Sequence, residues 1–207
     1  FAAGHVQTDV PLALEAARAR HPGVVFEAAR ALGVEPTLAA QAFAHARAAF
    51  PEVAPADTTV VFVGRGSSDP DANGDFFKMA RLVAEGRGLA HVEPCFMGIT
   101  APRVEAALER VAHQRPRAVV VVPYMLFSGR LVARLEALVT ATAQRYPWVS
   151  MRLAAPLGVS PELLDCLEAR LDAALSGAAP LPCDGCMYRR PLEGFAEQVG
   201  GLKALLY

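Results

Sequence analysis

Hydrophobic positions along the chain fall into two alternating kinds of run. Thr59–Val63, His91–Met97 and Ala118–Tyr124 are short stretches rich in Val and Phe and bounded by Gly, Pro or charged residues, the pattern of buried strands. Val149–Ala154 is a fourth, shorter one. Between them apolar residues recur at helical spacing. Pro70–Glu85 carries Phe76, Phe77, Ala80, Leu82 and Val83, and Pro102–His113 carries Val104, Ala107, Leu108 and Val111 on one stripe. Leu131–Arg145 and Pro161–Leu175 follow the same rule. Asp69 before Pro70 and Ser160 before Pro161 predict N-caps with proline at the first helical position. Ala118–Tyr124 has no polar position before its tyrosine, so it is expected to be buried on both faces. Strands alternating with helices imply an α/β fold: a parallel sheet with right-handed crossovers, flanked by helices. In such sheets ligands bind beyond the carboxyl ends of the strands. The loops to watch are therefore Gly64–Asp69, Gly98–Ala101, Phe127–Arg130 and Ala2–Thr8.

The pattern also repeats. Gly4 and Gly129, Pro22 and Pro147, Gly33 and Gly158, and Pro36 and Pro161 are each 125 positions apart, and Leu32-Gly33-Val34 recurs as Leu157-Gly158-Val159. Matches at one ungapped offset point to duplication, that is, to tandem repeats. The second copy starts near Thr58, and the same offset puts the start of the first copy before residue 1. The expected organisation is the C-terminal part of an incomplete first repeat (1–50), a linker (51–57), a complete second repeat (58–176) and a cysteine-containing tail (177–207).

Composition narrows the function classes. Hydrophobic residues make up 53% and charged residues 20% of the 207 residues, which suits a packed core. Twenty basic against 21 acidic residues give a net charge of −1, without the broad basic field of a nucleic-acid binder. The longest apolar run, Ala118–Phe127, is half the roughly 20 residues of a membrane span. Four cysteines are too few for a secreted disulfide scaffold of this length, so a reducing, cytoplasmic setting is expected.

The candidate chemistry lies on the loops. His5 follows a predicted strand end; a neutral imidazole there suits Co, Ni or Fe and accepts protons near neutral pH, and an ordinary loop histidine is the alternative. Its offset partner is Arg130. Gly64-Arg65-Gly66-Ser67-Ser68-Asp69-Pro70 joins a strand to a helix N-terminus, a place for an anionic ligand or a plain capped turn; it lacks the Gly-Lys-Ser/Thr ending of a Walker loop. Glu93, a charge inside a predicted strand, either faces a cleft or sits in a salt bridge. Cys183 and Cys186 form one Cys-x-x-Cys pair in the tail, open to a metal, cluster or redox role or to none. Cys95 and Cys166 are expected in the core.

Three segments together resemble a known family. Val63–Asn73 (VGRGSSDPDAN), Val92–Phe96 (VEPCF) and Val122–Gly129 (VPYMLFSG) resemble the second half of the long-form sirohydrochlorin cobaltochelatases, the CbiX family; Ala2–Pro11 and Cys183–Arg189 resemble its first-half motif and its tail. The resemblance implies a class II chelatase with two α/β halves that inserts Co²⁺, its substrate metal, into sirohydrochlorin without ATP, in cobalamin biosynthesis. It implies a metal-holding, proton-accepting role for His5, matched to the second of two family histidines. The first falls at the offset counterpart of Arg65, before residue 1, so this chain by itself is expected to be weak or inactive as a chelatase. The macrocycle carries many carboxylates, so Arg65 and Arg130, with Ser67, Ser68 and Glu93, are candidate substrate contacts. Some family tails are associated with an Fe–S cluster, which raises that cofactor at Cys183 and Cys186. Iron or nickel insertion, a tetrapyrrole or metal carrier, an interaction domain and a homodimer are the competing expectations.

Overall fold

A computed structural model describes residue 6 and residues 9–177. The chain divides into two compact units. One is Val34–Leu164; the other comprises the residues on either side of it.

The Val34–Leu164 unit is built on four parallel strands: β1 (Thr58–Gly64), β2 (His91–Phe96), β3 (Ala118–Pro123) and β4 (Ser150–Leu153), in the order β2-β1-β3-β4. Among the described residues, the helices with both ends defined are α1 Asp9–Arg20, α2 Pro36–Ala49, α3 Pro70–Ala84, α4 Val104–His113, α5 Arg130–Arg145 and α6 Pro161–Leu175. β1 and β3 are buried at every position, because helices cover both sides of the sheet.

Strand alternation divides the core. Val61, Val63, Cys95, Val119 and Val121 face α4 and α5, where they pack with Val104, Leu108, Val111, Leu135 and Val139. The intervening positions face the other way. Phe62 stacks on Phe76 of α3 at 5.0 Å between centroids, and Phe76 meets Phe96 of β2 at 4.9 Å. α2 lies against α3 and β3 on this second face. Its apolar stripe, Leu38, Ala39, Ala42 and Ala46, is fully buried, and Gln41 donates to the Leu157 carbonyl at 2.7 Å. The 125-residue offset assigns α2 to the first repeat, yet the helix helps close the core over the strands that follow it.

Local signals read from the sequence explain the helix starts. Asp69 caps α3, its Oδ1 accepting the Asp71 N–H at 3.0 Å, and Ser160 Oγ accepts the Leu163 N–H of α6 at 3.2 Å. α4 begins at Val104 rather than Pro102. The Phe96 N–H donates to the Pro102 carbonyl at 2.9 Å, which holds Pro102 and Arg103 extended beside the end of β2. In the other unit, α1 ends in a turn held by Arg18, whose guanidinium donates to the Phe26 carbonyl at 2.6 Å. Among the described residues no helix is long and apolar enough to cross a membrane.

Candidate functional site

The chain path changes direction at one place on the sheet. β1 runs into α3 on one face, whereas β3, its neighbour, runs into α5 on the opposite face. The loops leaving their carboxyl ends diverge, which opens the topological switch point where α/β sheets bind ligands. Main-chain hydrogen bonds tie the loops of this edge together. Met97 N–H donates to the Gly64 carbonyl at 2.9 Å, Gly98 N–H to Arg65 at 3.0 Å, and Tyr124 N–H to Val63 at 2.8 Å; Leu157 and Gly158 N–H groups donate to Met125 and Leu126 at 2.9 and 2.8 Å.

Arg65 is the first residue past β1, and Arg130 is the first residue of α5, past β3. Both are exposed, and among the described residues no ion pair holds either of them. Six other arginines of this unit are engaged with carboxylates: Arg81, Arg110, Arg117, Arg134, Arg145 and Arg152. Arg103 joins the first two. It is exposed and beside the end of β2, the strand next to β1. Reading Pro102–His113 as helix hid it; Pro102 as a helix-start signal outweighed any sign that the chain stays extended for one residue more. Arginines thus follow three adjacent strands, β2, β1 and β3.

The same edge carries large apolar side chains in water. Ile99, Phe127 and Val159, on the loops after β2, β3 and β4, are 61%, 64% and 65% exposed. Apolar surface alternating with unpaired guanidinium groups suits a flat, apolar ligand with anionic substituents. Ser67 and Ser68 lie on the β1 loop as expected. Ser67 Oγ accepts the Asp69 N–H at 3.0 Å, so it shapes the turn, while Ser68 is exposed.

Glu93 is not brought to this edge. It sits three residues before the end of β2, paired with Val61 in register, on the α4 side of the sheet. Burial would raise its pKa, but hydrogen bonds from Arg110 and His91 outweigh that and hold the carboxyl below its usual range. The salt-bridge alternative therefore replaces the cleft-facing one. Cys95 is fully buried, and burial pushes its thiol up to about 12, so it is a core residue rather than a thiolate ligand. Cys166 is only partly buried. His5, Cys183 and Cys186 lie outside the described residues. Among the described residues no group of three or more His, Cys, Asp or Glu side chains is gathered as a metal site.

Known proteins match this chain over most of its length. It is 35% identical over 189 residues to the sirohydrochlorin cobaltochelatase of Priestia megaterium, a match spanning 90% of this chain and 62% of that protein. It is 25% identical over 187 residues to the sirohydrochlorin ferrochelatase of Bacillus subtilis (strain 168), spanning 90% and 70%. The fold matches the structure of SirB from Bacillus subtilis with Fe³⁺ at a TM-score of 0.74, with 24% identity over 86% of this chain and 69% of that one. The family model CbiX matches residues 1–49 and 59–174. By that match the chain belongs to the CbiX family.

Proposed function

We propose that the chain is part of a sirohydrochlorin chelatase and that its metal substrate is Co²⁺. The observation that supports this reading most directly is the set of unpaired arginines and exposed apolar side chains at the sheet's switch point, in a chain that aligns over nine-tenths of its length with relatives named for sirohydrochlorin. The more similar of the two relatives is named for cobalt, which favours Co²⁺ over Fe²⁺.

The chemistry asks for two things. The macrocycle must be held by its peripheral carboxylates, for which the fork of a guanidinium is well shaped. Arg65 and Arg130 take this role. Two pyrrole protons must also leave as the divalent cation enters the ring. A neutral imidazole can hold the partly dehydrated ion and then accept a proton, and His5 takes that role.

The test is anaerobic insertion followed by absorbance, with sirohydrochlorin and Co²⁺, Fe²⁺ or Ni²⁺ in parallel, for this chain and for a version extended by about 67 residues at its N-terminus, the length the repeat offset sets. Turnover is expected to be fastest with Co²⁺, and His5→Ala to slow it by at least about a hundredfold. Faster insertion of Fe²⁺ would overturn the cobalt assignment. Binding of sirohydrochlorin without turnover of any metal would turn the reading to a carrier. Arg65→Ala and Arg130→Ala are each expected to weaken sirohydrochlorin binding about tenfold, the usual scale for a lost charge-assisted hydrogen bond. Unchanged affinity in both would remove the clamp.

A further inference from the structure

We infer that Asn73 is a positioning residue for the substrate loop: it holds the β1 loop in the one shape that presents Arg65 to an anionic ligand. The inference rests on the reading of Arg65 as a carboxylate contact. Asn73 stands in the first turn and a half of α3, away from the crevice edge in sequence, yet its side-chain amide reaches back to the loop. Its Oδ1 accepts the Ser67 N–H at 3.1 Å, and its Nδ2 donates to the Ser67 carbonyl at 2.8 Å. One side chain therefore satisfies both main-chain groups of one loop residue, replacing the partner strand that Ser67 lacks.

The rest of the loop is fixed from the other side. The Arg65 carbonyl accepts the Gly98 N–H, and Gly66 adopts φ +89° with the Gly98 carbonyl directly against it. Asp69 caps α3 beyond Ser67. Residues 65 and 66 are thus pinned to the β2 loop, residue 67 to α3, and the Arg65 side chain is left exposed between them. Releasing Ser67 frees the hinge on the helix side only. The fold keeps its core and residue 65 stays bonded to the β2 loop, but the loop is then held from one side only, and Arg65 loses part of its pre-organised fit to a carboxylate. Only an amide can serve in this way. Aspartate keeps an acceptor for the Ser67 N–H but sets a carboxylate against the Ser67 carbonyl, and alanine keeps neither bond.

The experiment measures binding of metal-free sirohydrochlorin to the full 207-residue chain by fluorescence quenching, for the unsubstituted protein, Asn73→Ala, Asn73→Asp, Arg65→Ala and the Asn73→Ala/Arg65→Ala pair. Main-chain hydrogen exchange of residues 65–68 is followed beside it. Asn73→Ala is expected to weaken binding about tenfold and to speed exchange in the loop, with Asn73→Asp following it in direction. In the Arg65→Ala background the same change is expected to have no further effect, the non-additivity of two residues acting as one unit. Additive losses would overturn the inference, because Asn73 would then act independently of Arg65. So would an unchanged affinity for Asn73→Ala in a protein that Arg65→Ala weakens; the proposed clamp would survive that result. If Arg65→Ala itself binds as tightly as the unsubstituted chain, the clamp and this inference fall together. Should Asn73→Ala fail to fold, Asn73→Asp decides by the same comparison.

Discussion

Phe62→Ala is expected to lower the unfolding free energy by about 4 kcal/mol, the upper range for a buried aromatic replaced by alanine. Phe62 is fully buried in the middle of β1. It stacks on Phe76 with only 9° between the ring planes and meets Tyr124 at 5.1 Å. Phe76 in turn touches Phe96 and lies under Gly64. The ring is thus part of an aromatic group centred on Phe76 that joins β1, β2, α3 and the end of β3, immediately below the candidate site. Close packing on both sheet faces leaves the neighbours little room to collapse into the gap. Urea unfolding of the two proteins checks it. A loss near 1 kcal/mol would mean that α3 relaxes onto the sheet and that the aromatic group does not hold the unit together.

Gly66→Ala is expected to destabilise the chain by about 3 kcal/mol, through backbone strain at positive φ together with a direct clash. At φ +89° an added Cβ would stand 2.1 Å from the Gly98 carbonyl oxygen, a main-chain atom that cannot swing aside. Either the β1 loop or the β2 loop must move. Because those loops carry Arg65 and Arg103, the proposed binding of sirohydrochlorin should fall together with stability. Gly74→Ala is the matched control. Gly74 lies inside α3 with nothing within 4 Å of its added Cβ, so alanine there should stabilise the helix by about 1 kcal/mol. If the two substitutions gave similar unfolding midpoints, the close approach of the loops would not exist in solution.

These two positions show what can be read from the residues and what cannot. The β-branched run around Phe62 was legible as a buried strand, and the helix after Asp69-Pro70 as a capped helix, because strand and helix periods and cap chemistry are local. β1, β2 and β3 appear within a residue of their expected ends, and α6 spans Pro161–Leu175 as read. Gly66 was legible only as a loop glycine that allows a close backbone approach, without the partner that approaches it. Its need to be glycine comes from Gly98, 32 positions later, through a contact no pattern encodes.

The site divides along the same line. Arg65, Ser67, Ser68 and Arg130 were legible from loop position together with the repeat offset and the family resemblance, and the structure sets the first three on the β1 loop and Arg130 at the start of α5, at the carboxyl edge of the sheet. Glu93 was marked because a charge in a strand is unusual; beside the local contact with His91 on the same strand, its partner Arg110 on α4 meets it only once β2 packs against that helix. Arg103 was passed over because Pro102 reads as a helix start, while the bond from Phe96 keeps the chain extended. Asn73 was quoted in a motif without a role, since an asparagine's two hydrogen bonds to a loop behind it leave no periodic trace.

By itself the sequence determined the alternation of strands and helices, the position of the caps, the parallel α/β class and which loops leave the carboxyl ends of the strands. All of these follow from periodicity and from interactions a few residues apart. Tertiary structure decided which helix covers which face of the sheet, with α2 closing the core against α3 and β3, which lie after it in the chain. It also decided which arginines stand unpaired, which charge is absorbed by an ion pair, and how the β1 loop is held. Each of those depends on side chains far apart in the chain meeting at one place, where packing and hydrogen-bond geometry outweigh local preference.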